Sequence, residues 1–384
     1  MAKRKALFMI CLLAVAFGLT ALVAVLAEKD KKKEKAEELL CVTSFYPVQL
    51  LAEAVSEGAE GVTVRNLTEN HSGCIHDYTL TTQDMRLLST AELFLINGGE
   101  MELFLEKAAA EYKDLAIVDT SAGYAFLEGV EHSHDHGAEG HEAESCTDPA
   151  HDHEEHSAES CTDPTHDHDH EEHATAEEDH DDHSHAVNAH IWMDIDGYLL
   201  QLSRVEEAFV KADPAQEELY RANAEACREE LAKLAEEYAA AKTALSGKET
   251  VVFHEGFVYL LRMLGVESVH CLAMDSDTQI AAGEAAEILE ECKRHGISVL
   301  FAEAEYAETV TDTFATELSG AVVVLDPVTG KWSDDSAEEG AFGEVPEAGT
   351  DHTGEADESP RAILEYCTRM RKNLEMIQQA YELQ

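Results

Sequence analysis

Residues 39–46 read LLCVTSFY, an apolar run of strand length, and residues 47–56 follow as PVQLLAEAVS, with apolar side chains at helical spacing behind a proline. A buried strand feeding an amphipathic helix is the opening of a βαβ unit. Outward from it the alternation continues. Residues 62–67 predict a strand, 82–90 a helix, 92–97 (ELFLIN) a strand closed by Gly98-Gly99, 101–112 a helix and 116–120 a strand. The same rhythm returns after residue 249: a strand over 250–254 (TVVFH), a helix through 264, a strand over 269–273, a helix over 282–295, and strands over 298–303 and 321–327. This predicts an α/β fold of two lobes, each with a parallel sheet flanked by helices.

Residues 213–245 lie between the two series and are rich in Ala, Glu, Leu and Lys. Asp213 suits a helix cap, Pro214 the first helical position and Gly247 a stop, so one long rigid helix is expected to join the lobes. The boundaries that follow are 39–212 for the first lobe, 213–245 for the connector and 246–384 for the second. An acidic surface loop over 331–359 precedes an amphipathic helix from about 360 to 382.

The chain has 384 residues and a net charge of −52, from 27 Lys and Arg against 79 Asp and Glu. That charge repels nucleic acid and favours soluble cations as partners. Residues 1–5 (MAKRK) are basic and 6–27 carry no charge, so 1–27 reads as a signal peptide or signal anchor, followed by a charged spacer over 28–38. The chain is therefore expected outside the cytoplasm, in the periplasm or on the outer face of the cell membrane. Cys41 stands too far behind the apolar run for a lipid anchor. The nine cysteines have neither metal-type spacing nor a dense disulfide pattern and are taken as optional staples.

Residues 131–185 hold 14 histidines and 20 carboxylates, with no Lys or Arg. Such a tract cannot build a core, and the insertion 131–187 is predicted to be disordered. Its AESCTDPAHDH at 143–153 recurs as AESCTDPTHDH at 158–168. Neutral imidazoles interspersed with carboxylates offer many interchangeable ligand sets for ions such as Zn²⁺, Cu²⁺ or Ni²⁺. An acidic linker would explain the carboxylates but not the histidines.

Seven histidines remain: His71, His76, His190, His254, His270, His295 and His352. His254 and Asp326 fall at predicted strand ends, His76 in the loop after 62–67, and His190 just before a helix starting near Asp196. In doubly wound sheets, ligands gather at the carboxyl ends of strands. His270, His295 and His352 are assigned ordinary structural hydrogen bonds.

The segments VTSFYP at 42–47, His76-Asp77-Tyr78 with TTQDMRLLSTAELFL at 81–95, AHIWMD at 189–194, VFHEGF at 252–257 and Leu325-Asp326-Pro327 resemble the zinc and manganese receptors of bacterial ABC importers, the cluster A-I solute-binding proteins. The resemblance runs from residue 39 to the end in the expected order. It implies a metal held between two lobes by His76, His190, His254 and, as fourth ligand, Asp326. It also implies an ABC permease with its ATPase subunit as partner, since no GxxxxGK[ST] loop stands in this chain. Manganese receptors of the family usually carry a carboxylate where His254 stands, and three imidazoles favour Zn²⁺ on ligand softness as well.

The first ligand loop departs from the family pattern at residues 70–74 (NHSGC), and Ile195 replaces a common proline. Cys74 and His71 are assigned a surface or disulfide role ahead of a metal-binding one, and Glu303 and Glu305 a hydrogen-bonding role beside the site. A zinc hydrolase with Glu255 as base is disfavoured, because His254-Glu255 opens no HExxH helix. A manganese-type receptor and a metal-storing or adhesive surface protein are the alternatives.

Overall fold

The computed structural model describes residues 38–69, 71, 73–76, 78–104, 111–113, 115–129, 187–272, 280, 282–331 and 359–382. The N-terminal segment 1–37, half of the expected helix 101–112, nearly all of the histidine-rich insertion 131–187 and nearly all of the acidic loop lie outside these residues.

The first sheet is built from β1 (Leu39–Thr43), β2 (Val62–Asn66), β3 (Leu93–Ile96) and β4 (Ala116–Asp119), in the order β2-β1-β3-β4 and parallel throughout. Its inner strand β3 is buried at every residue, which is why it reads as an unbroken apolar run. The second sheet holds β7 (Glu249–Val252), β8 (Glu267–Cys271), β9 (Val299–Ala302) and β10 (Ala321–Val324), ordered β10-β9-β7-β8 and again parallel. Both lobes are thus the α/β layers that the alternation predicts.

Between them pack α1 (Tyr46–Ser56), α3 (Ile195–Ala212), α4 (Glu217–Leu245) and α7 (Arg361–Glu382), while α2 (Thr82–Leu88), α5 (Phe257–Leu264) and α6 (Ala282–His295) complete the lobes. One apolar core runs from Val42 and Leu95 in the first sheet through Leu202, Leu231 and Tyr366 to Val252, Phe301 and Val323 in the second. Val251, Leu300 and Ala302 face the other way and pack with Ile288 and Phe314 in a separate cluster. Neighbours along a strand point to opposite faces, so each strand of this sheet feeds both cores. Tyr198 and Tyr366 stack at 3.9 Å where α3 meets α7, a pairing that adds about 0.5–1.5 kcal/mol to the area buried.

The connector differs from expectation at its start. Asp213 leaves the helical region at φ −136° and its carboxylate accepts from the Ala215 amide at 3.2 Å. Pro214–Gln216 form a single 3₁₀ turn, and α4 begins only at Glu217. The cap therefore acts on the turn, not on the long helix. Its 29 residues span about 43 Å at about 1.5 Å each.

A two-residue antiparallel pair, β5 (Leu127–Glu128) with β6 (Val187–Asn188), was not foreseen. It joins the chain just before the histidine-rich tract to the chain just after it, and so fixes the approach to His190.

Candidate metal centre

Each of the three candidate imidazoles is delivered by a loop at a strand's carboxyl end or by the residues after β6. His76 sits in the irregular segment after β2. There the Thr68 hydroxyl donates to the Ser44 carbonyl at 3.0 Å, and the Tyr78 amide donates to the Ile75 carbonyl at 3.1 Å. Ile75 is buried beneath the loop, and Gly73 takes φ +83°, a left-handed value that favours glycine. Further on, Thr81 and Asp84 form a capping box at the start of α2, with Asp84 also accepting from the Tyr78 hydroxyl at 2.8 Å.

His190 follows β6 and is buried, with 1% of its surface exposed. Asn188 organises it. The Asn188 side-chain oxygen accepts from the His190 amide at 3.1 Å and lies 3.0 Å from its Nδ1, while the Asn188 side-chain nitrogen donates to the Glu255 carbonyl at 2.8 Å. Tyr259 donates its hydroxyl to the Asn188 carbonyl at 2.9 Å. One asparagine thus ties the first lobe's candidate histidine to the turn that carries the second lobe's. A Glu255 carboxylate oxygen stands 3.3 Å from the same Nδ1. With Nδ1 engaged on this side, Nε2 is left to face the cluster, the arrangement by which partners fix the orientation of a metal-binding histidine.

His254, expected as the last residue of its strand, lies instead two residues past the end of β7 at Val252, in the turn to α5, and its ring packs on Phe257 at 5.1 Å. Gly256 lets the two rings meet. A Cβ there would stand 2.8 Å from His254 Cε1 and 3.0 Å from His190 Cδ2. Ring centroids are 4.7 Å apart for His190 and His254 and 5.5 Å apart for His76 and His190. The structure therefore brings all three imidazoles together, two from the first part of the chain and one from the second.

Two further side chains face this group. Cys74 Sγ lies 3.0 Å from His190 Nε2 and 3.2 Å from His254 Nε2. Donor atoms of Cys74, His76 and His190 all fall within 4.8 Å of one another, spacing that suits a shared ion. A Glu303 oxygen, just past β9, lies 3.5 Å from His254 Nε2. Burial dominates the electrostatics. It pushes the His254 imidazole down to about 4 and lowers His190, where a hydrogen bond to the Glu255 carboxylate opposes it. It also pushes the Glu303 carboxyl up to about 8, with His190 pulling the other way. Neutral imidazoles are the form that binds metal, and a divalent cation would return Glu303 to its charged state.

Asp326 is placed differently. Its two oxygens receive Arg369 Nε at 2.6 Å and a terminal Arg369 nitrogen at 2.7 Å, and one of them also accepts from the Val328 amide at 2.8 Å. Asn373 clamps the Asp326 backbone, accepting from its amide and donating to its carbonyl, both at 2.8 Å. The expected fourth ligand is thus committed to α7. His71 closes its own loop, with Nε2 2.8 Å from the Cys74 carbonyl, while His270 and His295 pair with Glu291 and Glu249. His352 lies outside the described residues.

The parts missed from sequence are the Asn188 bridge and the aim of Cys74. Asn188, two residues before His190, carries a weak signal, because an asparagine at that spacing can hold a histidine's Nδ1. Cys74 stands in a loop that departs from the family pattern, which raises a metal-binding role only behind a surface or disulfide one, since its direction depends on the irregular loop.

Compared with known proteins, residues 41–380 match the family described as ZnuA, zinc-uptake complex component A, periplasmic. Among curated relatives, the zinc-binding protein AdcA of Streptococcus pyogenes serotype M3 (strain ATCC BAA-595 / MGAS315) is 26% identical over 383 residues, with 98% of this chain covered. The chain spans only 61% of that relative's length. The high-affinity zinc uptake system protein ZnuA of Bacillus subtilis (strain 168) is 24% identical over 330 residues, which are 85% of this chain and 89% of the relative. Among solved structures, the Zn(II)-bound ZnuA-like domain of Streptococcus pneumoniae AdcA superposes with a TM-score of 0.60 at 18% identity, covering 89% of this chain and 98% of that one. At that identity the likeness is one of fold.

Proposed function

Because this chain belongs to the family of zinc-uptake complex component A, we propose that it is an extracytoplasmic solute-binding protein that captures Zn²⁺ and delivers it to the permease of an ABC transporter for high-affinity uptake. The observation that carries the reading is the meeting of three buried imidazoles, His76, His190 and His254, from both parts of the chain. In this reading those three hold the ion. Glu303 supplies negative charge beside it, and Asp326, paired with Arg369, holds the wall behind.

Zinc is favoured over manganese by the donor set, since imidazole suits Zn²⁺ while Mn²⁺ prefers carboxylate and water oxygens. The chain performs no chemistry on its cargo, and the energy for transport comes from an ATPase subunit. The N-terminal segment directs export. The histidine-rich tract, with its many interchangeable imidazole and carboxylate donors, gathers zinc and raises its local supply.

The test is calorimetric titration of zinc with manganese as competitor, on the full chain and on a chain lacking 131–185. Pairing of Leu127–Glu128 with Val187–Asn188 holds together the chain flanking that deletion. One tight zinc equivalent should survive the deletion and disappear in His254→Ala. Tight binding lost with the tract, or unaffected by His254→Ala, would refute the assignment.

A further inference from the structure

We propose that Cys74 is a ligand of the cargo ion, completing a set of three imidazole nitrogens and one thiolate that selects zinc over manganese. This rests on the zinc-receptor reading and adds to it the donor that decides selectivity.

Geometry carries the inference. Cys74 Sγ is 3.0 Å from His190 Nε2 and 3.2 Å from His254 Nε2, and shares a donor cluster with His76. Two donors of one tetrahedral zinc, sulfur at about 2.3 Å and nitrogen at about 2.0–2.1 Å, stand about 3.5 Å apart. The sulfur therefore needs only a few tenths of an ångström of adjustment to share an ion with both rings. Its aim is built in: His71 binds the Cys74 carbonyl at 2.8 Å, Gly73 turns the chain, and buried Ile75 anchors the next residue.

The expected carboxylate does not compete for this position. Asp326 is held by buried Arg369 through two hydrogen bonds and would have to abandon that charge underneath α7. On binding, the Cys74 S–H bond gives its proton to water and the sulfur's electron pair forms the bond to zinc. Three neutral imidazoles and one thiolate leave the ion near +1, with Glu303 beside it. Thiolate is a soft donor, so the set discriminates against Mn²⁺ more strongly than a carboxylate would.

The experiment uses Co²⁺ as probe on the full chain, at one equivalent, reading the thiolate-to-cobalt charge-transfer band in the near ultraviolet and the visible bands of four-coordinate cobalt. Cys146 and Cys161 lie in the histidine-rich tract, so Cys146→Ser/Cys161→Ser is the control. The charge-transfer band should persist in that control and vanish in Cys74→Ser, while the visible bands remain. The preference for zinc over manganese should fall by more than about tenfold in Cys74→Ser. As a readout that needs no variant, zinc should slow alkylation of Cys74 in the wild-type chain. A tight cobalt equivalent without the charge-transfer band, or a band that survives Cys74→Ser, or alkylation unaffected by zinc, would overturn the thiolate ligand and leave the receptor reading standing. Absence of any tight equivalent in the wild-type chain would overturn both.

Discussion

Two buried polar clusters lie beyond the carboxyl ends of the second sheet's strands, and they differ in what completes them. In the Asp326 cluster the protein supplies every partner: Arg369 to the carboxylate oxygens, Asn373 to the backbone, and the Gly330 carbonyl as an acceptor for Arg369 at 2.7 Å. In the histidine cluster His190 Nε2 and His254 Nε2 both lie against Cys74 Sγ, and among the described residues His254 Nδ1 has no hydrogen-bond partner. Desolvated polar groups left incomplete cost about 1–3 kcal/mol each. The first arrangement serves the fold. The second gathers donor atoms of three imidazoles and a thiol at one place, as the proposed zinc site requires.

Breaking the completed cluster should produce the largest effect, and on stability. Arg369→Met leaves the part-buried Asp326 carboxylate without its ion-pair partner, so urea unfolding should show a loss of about 3 kcal/mol, the low end for a buried pair. Zinc affinity of the molecules that remain folded should change little. Asp326→Asn sharpens the contrast: a loss of zinc affinity there as deep as that of His254→Ala would put Asp326 on the ion and erase the distinction.

His254→Ala should do the converse. Zinc affinity should fall by more than about 100-fold, beyond what loss of an outer partner costs, or more than about 2.8 kcal/mol at about 1.4 kcal/mol per tenfold. Unfolding without metal should shift by less than about 1 kcal/mol, because the deleted ring includes an unsatisfied buried nitrogen.

Gly256→Ala tests whether close approach of the rings matters. Its φ of −58° suits alanine, so stability should hold, while the added Cβ, 2.8 Å from His254 and 3.0 Å from His190, pushes the rings apart. Zinc affinity should drop between about 10-fold and 100-fold, in the range of other outer-partner changes. The smallest effect is expected for Glu255→Gln, near the tenfold end of that range, because Asn188 still engages His190 Nδ1. If competition with a chelator shows Gly256→Ala binding zinc as the wild type does, the rings are looser than described.

Much of this was legible in the chain itself. The βαβ alternation is local, so strands such as β1 and β3 and helices such as α6 emerge from periodicity alone. The three histidines that the structure brings together are the ones singled out by matched motifs and by their places near strand ends. What escaped depends on contacts far apart in sequence. Nothing near Asp326 announces that Arg369, 43 residues later, will take its carboxylate. Nothing near Cys74 announces His190, 116 residues away. The break at Asp213 escaped for a different reason: a residue that can cap a helix can equally cap a single 3₁₀ turn, and the sequence does not rank the two.

The most direct measurement is anomalous diffraction at the zinc edge from crystals of the zinc-loaded chain. A single strong peak is expected at about 2.0–2.1 Å from one nitrogen of each of His76, His190 and His254. A peak on carboxylates elsewhere, with those three rings not bound to it, would contradict the proposed receptor site.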